Sequence, residues 1–436
     1  VSESEVMRHY VSLSTKNHHI DKGFYPLGSC TMKYNPKVND VVAALPGFAT
    51  LHPFAPPCAA TGMLELMARL QEQLCEVSGF DAVSLQPVAG AHGEFCGLLM
   101  MRAYHLENKQ PERKKIIIPD SAHGTNPASV AAVGYTTVQV GSNSEGVIDP
   151  DAVAALMDET VAGIMMTNPN TLGLFERNVR QISDIVHNGG GLVYMDGANL
   201  NAHMGIFRPG DIGFDIMHFN LHKTFSTPHG GGGPGAGAVG VTSALAKYLP
   251  TPTLGRDSDG KPYFEENRPA SIGRLHSFYG NVANMIRAYA YISSLGGDGL
   301  KAVSENAVLN ANYLKVNLID DYDLPYTGNC MHEFVLSGNR QKKLGVRTLD
   351  ISKRLLDFGV HSPTNYFPLI VPEAMMIEPT ETESRETLDQ FVAIMKKIAR
   401  EVETDPELVK TAPHDTPVRR LDEATAARTL DINYAG

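Results

Sequence analysis

Lys223 combines a reactive side chain with an unusual position in the sequence. It ends the stretch Phe214–Lys223, whose apolar first half predicts a short buried strand, and a glycine-rich stretch follows at residues 230–237. An ammonium group loses hydration when it is buried, so a lysine kept at such a position indicates a use for the amine. A desolvated amine is a nucleophile that forms a Schiff base with an aldehyde. On this stretch alone, a solvated lysine at a strand end is the more common arrangement.

Three further features follow predicted strands in the same way. His123 comes after a β-branched run, and Asp196 comes directly after an apolar run. The small residues Gly90–Ala91 lead into a predicted helix, whose N-terminus would offer free N–H groups to an anion. Each feature alone has an ordinary explanation, such as tight packing or a hydrogen-bonded bystander. Because the carboxyl ends of parallel strands meet at one edge of an open sheet, we expect these features and Lys223 to lie together.

Taken together, the four features predict a site for pyridoxal phosphate. The phosphate needs N–H donors, which Gly90–Ala91 would supply, and the aldehyde needs the amine of Lys223. A carboxylate from Asp196 would keep the pyridine nitrogen protonated, since only the pyridinium withdraws electrons strongly enough to stabilise a carbanion. The ring of His123 would lie over one face of the cofactor, and the small Ala198 would leave room on the other.

The alternation of strand-like and helix-like segments predicts the elements that position these residues. It indicates an α/β fold with a mainly parallel sheet, helices on both faces and loops collected at one edge. We expect an extended N-terminal arm over residues 1–62 and a large cofactor-binding domain over 63–319. A smaller α+β domain with a tail would occupy 320–436. The glycines within 230–237 indicate a backbone that approaches another group closely or adopts positive φ.

Composition limits the classes of partner. Of the 436 residues, 43% are apolar and 19% are charged, which is typical of a soluble globular protein. The formal charge of −11 argues against nucleic acid or an anionic membrane as the main partner. The five cysteines are widely spaced, so we expect neither a metal site nor a disulfide framework. With no apolar run of membrane-spanning length and no signal-peptide pattern, the sequence predicts a cytoplasmic protein, or one inside an organelle.

Several longer motifs are spread over nearly the whole chain. They are GFYPLGSCTMK at 23–33, DSAHGTNPA at 120–128, MDGANLNA at 195–202, NLHKTF at 220–225, SFYGN at 277–281 and MIEPTETE at 376–383. These motifs resemble those of glycine dehydrogenase (decarboxylating), the P-protein family of the glycine cleavage system. Many P-proteins are single chains with two related halves, and this sequence resembles only the C-terminal, cofactor-bearing half.

The resemblance implies a fold and a set of site residues. The fold would be that of the fold-type I pyridoxal phosphate enzymes, with a mainly parallel, seven-stranded-type sheet in the large domain. Lys223 would carry the cofactor covalently, Asp196 would face the ring nitrogen, and His123 would stack on the ring. Asn168 would reach the 3-hydroxyl group. The cofactor-binding residues would be Gly90, Ala91, His123, Asn168, Asp196, Ala198, Asn220, His222 and Lys223.

The resemblance also implies an activity and partners. The activity is the decarboxylation of glycine, with transfer of the aminomethyl group to the lipoyl arm of the carrier H-protein. In some bacteria the two halves are separate subunits that form an (αβ)2 heterotetramer, so the implied partners are subunit 1 and lipoylated H-protein. A mobile lipoyl arm needs a channel, which we expect near Ser29–Lys33 and His229.

Two other functions stay open at this point. One is an aminotransferase or another fold-type I decarboxylase, since such enzymes often anchor the substrate carboxylate with an arginine of the small domain. Arg340, Arg347 and Arg354 are available for that role. The other is a non-catalytic subunit that keeps the fold and mainly supports a partner. The presence of both Lys223 and Asp196 argues against it.

Overall fold

Short strands alternate with longer helices along most of the chain. The computed structural model describes residues 1–230 and 235–433. The strands are β1 (Ala82–Ser84), β2 (Lys115–Pro119), β3 (Thr136–Val140), β4 (Val161–Thr167), β5 (Leu192–Gly197), β6 (Ile216–Asn220), β7 (Gly237–Val241), β8 (Thr253–Arg256), β9 (Pro262–Glu265), β10 (Phe334–Ser337), β11 (Thr364–Asn365) and β12 (Ala374–Ile377). The helices are α1 (Glu3–Ser14), α2 (Lys37–Ala43), α3 (Pro46–Ala49), α4 (Pro57–Ser78), α5 (Gly90–Glu107), α6 (Thr125–Ala132), α7 (Pro150–Leu156), α8 (Val179–Asn188), α9 (Leu221–Thr224), α10 (Val282–Leu318), α11 (Asn339–Lys342), α12 (Thr348–Asp357), α13 (Arg385–Thr404), α14 (Pro406–Lys410) and α15 (Glu423–Arg428).

A large sheet organises the first two thirds of the chain. Its seven strands lie in the order β1-β7-β6-β5-β4-β2-β3. The pairs β3–β2, β2–β4, β4–β5 and β5–β6 are parallel, and β7 is antiparallel to both β6 and β1. The sheet is therefore mainly parallel, which confirms the predicted fold class.

Helices cover both faces of this sheet because successive residues of a strand point to opposite sides. Met195 and Met217 pack into a core that includes α4, α8 and α10. Their neighbours Tyr194 and Ile216 pack into a second core with α5 and α6. Every residue of β4, β5 and β6 is buried, as expected for parallel strands covered on both faces. A ligand can therefore approach this sheet through the loops at its strand ends.

A smaller sheet near the C-terminus has its own core. Its antiparallel strands lie in the order β10-β12-β11, with α12, α13 and the end of α10 packed beside them. Helix α10 contributes to both parts, since Leu300 packs in the core of the large sheet and Leu314 in that of the small sheet. The division of the chain into domains at residues 62 and 319 stays a prediction.

The N-terminal segment joins the small sheet, although the two are distant in sequence. Leu27 forms a bridge with Ile377, and the Gly28 N–H donates to Met376 O at 3.2 Å. Phe24 packs in the core of the small sheet. A Cβ at Gly28 would lie 2.3 Å from the Met376 side chain, so the close approach of the two backbones requires glycine.

The N-terminal arm is more regular than its sequence predicts. It is expected to be extended, yet it contains α1, α2 and α3. Helix α1 begins with a capping box in which the Ser2 side chain accepts from the Glu5 N–H and the Glu5 carboxylate accepts from the Ser2 N–H. The expectation of an extended arm is therefore wrong for this part of the chain.

Residues 231–234 fall outside the described residues. They are part of the glycine-rich stretch predicted to approach another group closely or to adopt positive φ. Its flanks are described: His229 and Gly230 follow α9, and residues 235–236 lead into β7. Among the helices of the described residues, none has the length and apolarity needed to cross a membrane.

Candidate active site

The loops at the carboxyl ends of the parallel strands surround a cavity of about 190 Å³. The predicted site residues that line it are Gly90, Ala91, His123, Asp196, Ala198, Asn220, His222 and Lys223. The other residues of its wall are Ser29, Glu94, Thr125, Thr167, Thr171, Asn199 and His218. Asn168 is the predicted site residue that is absent from this wall.

Lys223 lies in the single helical turn α9, directly after the buried strand β6. Its side chain is partly buried and borders the cavity. The Nζ atom donates a hydrogen bond to the backbone oxygen of Ser29 at 2.7 Å. The amine is therefore fixed from two directions, by the end of a central strand and by the N-terminal segment.

Two histidines beside Lys223 are uncharged near neutral pH. Burial lowers the pKa of His222 to about 3, and the neighbouring His229 and Lys223 add to this effect. Burial also lowers the pKa of His229 to about 4. The two rings meet edge to face, with their centroids 4.8 Å apart. His222 lines the cavity, and neither ring adds positive charge beside the amine.

Asp196 is a buried carboxylate near the end of β5. Its Oδ1 lies 3.2 Å from His218 Nε2 and accepts from the Ala198 N–H at 2.9 Å. Its Oδ2 accepts from the side-chain amide of Asn126 at 3.0 Å. Burial opposes ionisation, but the charge of His218 and these donors together hold the pKa of Asp196 below its usual range. The carboxylate is therefore ionised and suited to face a protonated ring nitrogen.

His218 is a site residue that the sequence analysis does not identify. It lies inside β6, and the parallel register places it beside Asp196 on β5. Burial by itself would lower the pKa of His218, but the Asp196 carboxylate outweighs it and the pKa is raised. Its Nδ1 lies 3.0 Å from the Tyr194 hydroxyl group. The available signal was a histidine inside an apolar run, where a polar side chain needs a partner.

His123 follows β2 and is held by neighbours on two other elements. Its Nδ1 lies 2.9 Å from Thr125 Oγ1, and that hydroxyl group donates to Glu94 Oε1 at 2.8 Å. Its ring meets that of Phe367 edge to face, with centroids 5.6 Å apart. Burial is the main reason that the pKa of His123 is lowered. An uncharged, fixed aromatic ring therefore borders the cavity.

Helix α5 begins at Gly90, on the wall of the cavity. The N-cap residue Ala89 offers no side-chain acceptor, so the N–H groups of the first turn are available to an anion. A Cβ at Gly90 would lie 2.2 Å from Asn220 Oδ1. Only glycine permits this contact, which ties the helix N-terminus to the strand that leads to Lys223.

The chemistry of the wall fits pyridoxal phosphate. An anion-binding helix N-terminus, an amine and an ionised carboxylate match the phosphate, the aldehyde and the ring nitrogen of that cofactor. Three buried polar atoms of the wall also lack a hydrogen-bond partner within the described part of the chain. They are Glu94 Oε2, Thr167 Oγ1 and Asn199 Oδ1. Such atoms indicate a polar ligand at this site.

Asn168 lies behind the wall rather than in it. It is completely buried, and its Oδ1 accepts from the Glu176 N–H at 3.0 Å. Its Nδ2 has no acceptor among the described residues.

The three arginines considered as carboxylate anchors lie elsewhere. Arg340 forms an exposed ion pair with Asp323, and Arg354 pairs with Glu401. Arg347 is exposed at the start of α12. None of the three lines the cavity. They offer no support for an aminotransferase-like site.

Family models match two parts of the chain. Residues 98–268 match aminotransferase class-V, and residues 303–420 match the glycine dehydrogenase C-terminal domain. The first match covers β2 to β9, and the second covers the small sheet and its helices.

Solved structures share the fold. A glycine decarboxylase (P-protein) of the glycine cleavage system, in inhibitor-bound form, superposes with a TM-score of 0.75 at 20% identity, covering 91% of this chain and 90% of that chain. A glutamate decarboxylase from Lactobacillus brevis has a TM-score of 0.72 at 13% identity, covering 92% and 93%. The fold is that of the fold-type I pyridoxal phosphate enzymes.

Curated relatives are similar at much higher identity. A protein from Chloroherpeton thalassium, named probable glycine dehydrogenase (decarboxylating) subunit 2, is 59% identical over 437 residues, which cover 100% of this chain and 88% of the relative. A protein of the same name from Caldanaerobacter subterraneus is 59% identical over 434 residues, covering 100% and 89%. The chain belongs to the glycine dehydrogenase (decarboxylating) subunit 2 family.

Proposed function

We propose that this chain is the cofactor-bearing subunit of a glycine decarboxylase that uses pyridoxal phosphate and passes the aminomethyl group to the lipoyl arm of H-protein. The observation that carries the proposal is the arrangement of Lys223, the Asp196–His218 pair and the N-terminus of α5 around one cavity. The names of the relatives support a partner subunit 1, with which the chain would form an (αβ)2 heterotetramer.

Each polar group of the wall has a role in this function. When bound, pyridoxal phosphate would supply an electron-withdrawing ring that accepts the electron pair left as CO2 departs. The Lys223 amine would hold the cofactor covalently, and the N–H groups of Gly90 and Ala91 would hold its phosphate. Asp196 would place a negative charge beside the ring nitrogen, and His218 balances that charge inside the protein.

The remaining residues orient and enclose the reactants. The His123 ring would stack on one face of the cofactor, and the small side chain of Ala198 leaves space opposite. Asn168 lies behind the wall, so its role at the 3-hydroxyl group stays a prediction. Asn220 and His222 belong to the same wall and help to exclude water from it.

The lipoyl arm would enter beside the N-terminal segment. Ser29 lines the cavity and contacts Lys223, and His229 packs against His222. Ser29 therefore borders the cavity beside the amine, and His229 contacts His222, which does so too. This arrangement supports a channel between Ser29–Lys33 and His229.

Borohydride trapping with peptide mapping tests the proposal. The reduced cofactor should be found on Lys223 and should disappear in a Lys223→Ala variant. Lys33, the other lysine buried near the site, serves as an internal control because its Nζ is occupied by Asn201 and Glu381. A label on Lys33, or on no lysine, would refute the proposal.

The loaded complex provides the functional half of the experiment. With subunit 1 and lipoylated H-protein present, glycine should release CO2, and alanine or glutamate should not replace it. Ser29→Ala and His229→Ala variants should turn over more slowly with H-protein. Normal turnover in both variants would exclude the proposed channel.

A further inference from the structure

Two carboxyl groups lie buried side by side, behind the part of the cavity wall that contains Ser29. Glu333 immediately precedes β10, and Glu378 immediately follows β12. The antiparallel register pairs Phe334 with Ile377, so the two glutamates are the next pair along the ladder. Both are completely buried, with carboxylate oxygens within 4.8 Å of each other. Neither lines the cavity, so neither is placed to touch a substrate.

Each carboxyl group accepts a hydrogen bond from the backbone of the same loop. The Ser29 N–H donates to Glu333 Oε2 at 2.7 Å, and the Thr31 N–H donates to Glu378 Oε2 at 3.0 Å. Both donor residues have positive φ angles, 65° at Ser29 and 45° at Thr31. Residues with a Cβ rarely adopt this left-handed conformation. The loop therefore depends on outside contacts for its shape, and the two carboxyl groups supply them.

The shape of this loop determines the position of the oxygen atom that accepts the hydrogen bond from Lys223. Ser29 directs its N–H to Glu333 and its carbonyl oxygen to Lys223 Nζ, each at 2.7 Å. Further along the same segment, the buried Lys33 donates to the backbone oxygen of Thr224 at 2.8 Å. Thr224 is the residue next to Lys223. One segment thus contacts both the amine and the backbone that carries it.

We propose that Glu333 and Glu378 are positioning residues: through the loop Ser29–Thr31 they hold the Ser29 carbonyl where it accepts a hydrogen bond from Lys223 whenever that amine is free of the cofactor. The proposal rests on the proposed role of Lys223 as the cofactor lysine. It gives the small sheet a part in the chemistry, since both glutamates border strands of that sheet.

The surroundings of the pair show how it can act on Lys223. His332 Nε2 lies 4.0 Å from Glu333 and 3.8 Å from Glu378, too far for hydrogen bonds, and burial lowers the pKa of His332 to about 3. Both carboxyl groups lie close enough to Lys223 to interact with it electrostatically. The pair can therefore act through the loop or through its charge. A Glu→Gln change keeps an acceptor for the loop and removes the charge, whereas Glu→Ala removes both.

Hydrogen–deuterium exchange of the full-length apo-protein tests the first step. In Glu333→Ala and Glu378→Ala, the amides of the peptide containing residues 24–34 should exchange at least about tenfold faster, because each variant loses a hydrogen bond to an ionisable group. The Gln variants should stay close to wild type. Glu373→Ala is the matched control, since Glu373 is a buried carboxyl group of the same sheet whose amide contact is with Thr348.

The reactivity of Lys223 tests the second step. Competitive acylation followed by mass spectrometry gives the pH dependence of Lys223 labelling in the apo-protein, and absorbance gives the rate at which added pyridoxal phosphate is captured. The Ala variants should change both by about threefold or more. The Gln variants and Glu373→Ala should match wild type in both.

Each outcome has a distinct meaning. If the Ala variants loosen the loop but leave Lys223 labelling and cofactor capture unchanged, the positioning role is wrong and the contacts are merely structural. If the Gln variants change Lys223 as much as the Ala variants while the loop stays protected, charge rather than loop geometry acts on the amine, and the proposal is also wrong. If wild type is not trapped on Lys223, the proposed function fails first. If it is trapped there and all variants behave alike, only the positioning proposal fails.

Discussion

The Asp196–His218 pair of the large sheet and the Glu333–Glu378 pair of the small sheet are both buried and both interact electrostatically with Lys223. The pKa values of the carboxyl groups in the two pairs nevertheless move in opposite directions. The pKa of Asp196 is held below its usual range, whereas burial raises the pKa of Glu378 to about 7. Burial and the neighbouring Glu378 also raise the pKa of Glu333 well above its usual value.

The difference lies in the partners rather than in the degree of burial. Asp196 faces the imidazole of His218 at 3.2 Å and accepts from two further donors. Glu378 accepts from the Thr31 N–H, and its neighbour in the ladder is another carboxyl group. Asp196 therefore maintains a fixed negative charge, and the Glu333–Glu378 pair retains a proton near neutral pH.

Removing the charge of Asp196 should have the largest effect on CO2 release. Asp196→Ala and Asp196→Asn should each slow CO2 release from glycine by roughly 100- to 1000-fold, as expected when a preorganised electrostatic group is lost. Asparagine keeps the shape of the side chain, so equal losses in both variants would identify the charge as the cause. The measurement is single-turnover CO2 release by the complex with subunit 1 and H-protein.

The control for this prediction is Glu373→Gln, which changes a buried carboxyl group of the small sheet whose described contacts are with Thr348 and Lys342. It should release CO2 at close to the wild-type rate. If Asp196→Asn does the same, the charge of Asp196 has no part in the chemistry, and the contrast between the two pairs fails.

A smaller effect is expected when the partner of the ionised carboxylate is changed. His218→Gln keeps a donor beside Asp196 but removes the positive charge, so the pKa of Asp196 should rise by about 1–3 units. In wild type the lowered pKa contributes stability above the ordinary value of 3.8, and this stability is lost as the pH falls through the folded-state pKa. The free energy of unfolding of the variant should therefore be lower at neutral pH and should fall less steeply below pH 3.8.

Denaturant unfolding at a series of pH values measures this change, and carboxyl carbon chemical shifts report the pKa directly. His187→Gln is a matched control, because His187 forms a similar ion pair with Asp215 at the protein surface. A pKa for Asp196 that stays low in His218→Gln would mean that the backbone and amide donors suffice. The imidazole would then have a structural role only.

The site residues on the large sheet are easier to predict from the sequence than the Glu333–Glu378 pair, for a physical reason. Lys223 and His123 follow strands and Asp196 lies next to the last residue of one. The apolar pattern reveals these strands, and parallel strands bring their ends to one edge. His218 escapes this reasoning because it lies within a strand and its importance depends on which strand is its neighbour. Strand order is a property of the tertiary fold, and a local pattern does not contain it.

The Glu333–Glu378 pair could not be predicted from a local sequence pattern. Glu378 falls within the motif at 376–383, but its role depends on Thr31, which is 347 positions away in the chain. Glu333 likewise meets Ser29 across 304 positions. Only the folded chain brings the N-terminal segment onto β12. The capping box at Ser2, by contrast, was a local signal for a helix in the arm.

The smallest effect should come from removing the titratable proton of the small-sheet pair. The folded-state pKa of Glu378, about 7, lies above the ordinary value of 4.5. Its contribution to stability is therefore fully present below pH 4.5 and is lost as the pH rises toward 7. Glu378→Gln cannot titrate, so the decline in the free energy of unfolding over this range should shrink by about 1–3 kcal/mol.

The comparison of Glu378→Gln with wild type isolates this pair, because other carboxyl groups with raised pKa values, such as Glu176 and Glu383, titrate in both proteins. Glu333 and Glu378 titrate as a unit, so the lost slope belongs to the pair. Glu373→Gln is the control of opposite sign: the pKa of Glu373 is lowered, so its contribution is lost only as the pH falls. If Glu378→Gln leaves the pH dependence of the free energy of unfolding between pH 4.5 and 7 unchanged, the Glu333–Glu378 pair holds no proton in that range. The carboxyl groups of the two pairs would then both be charged.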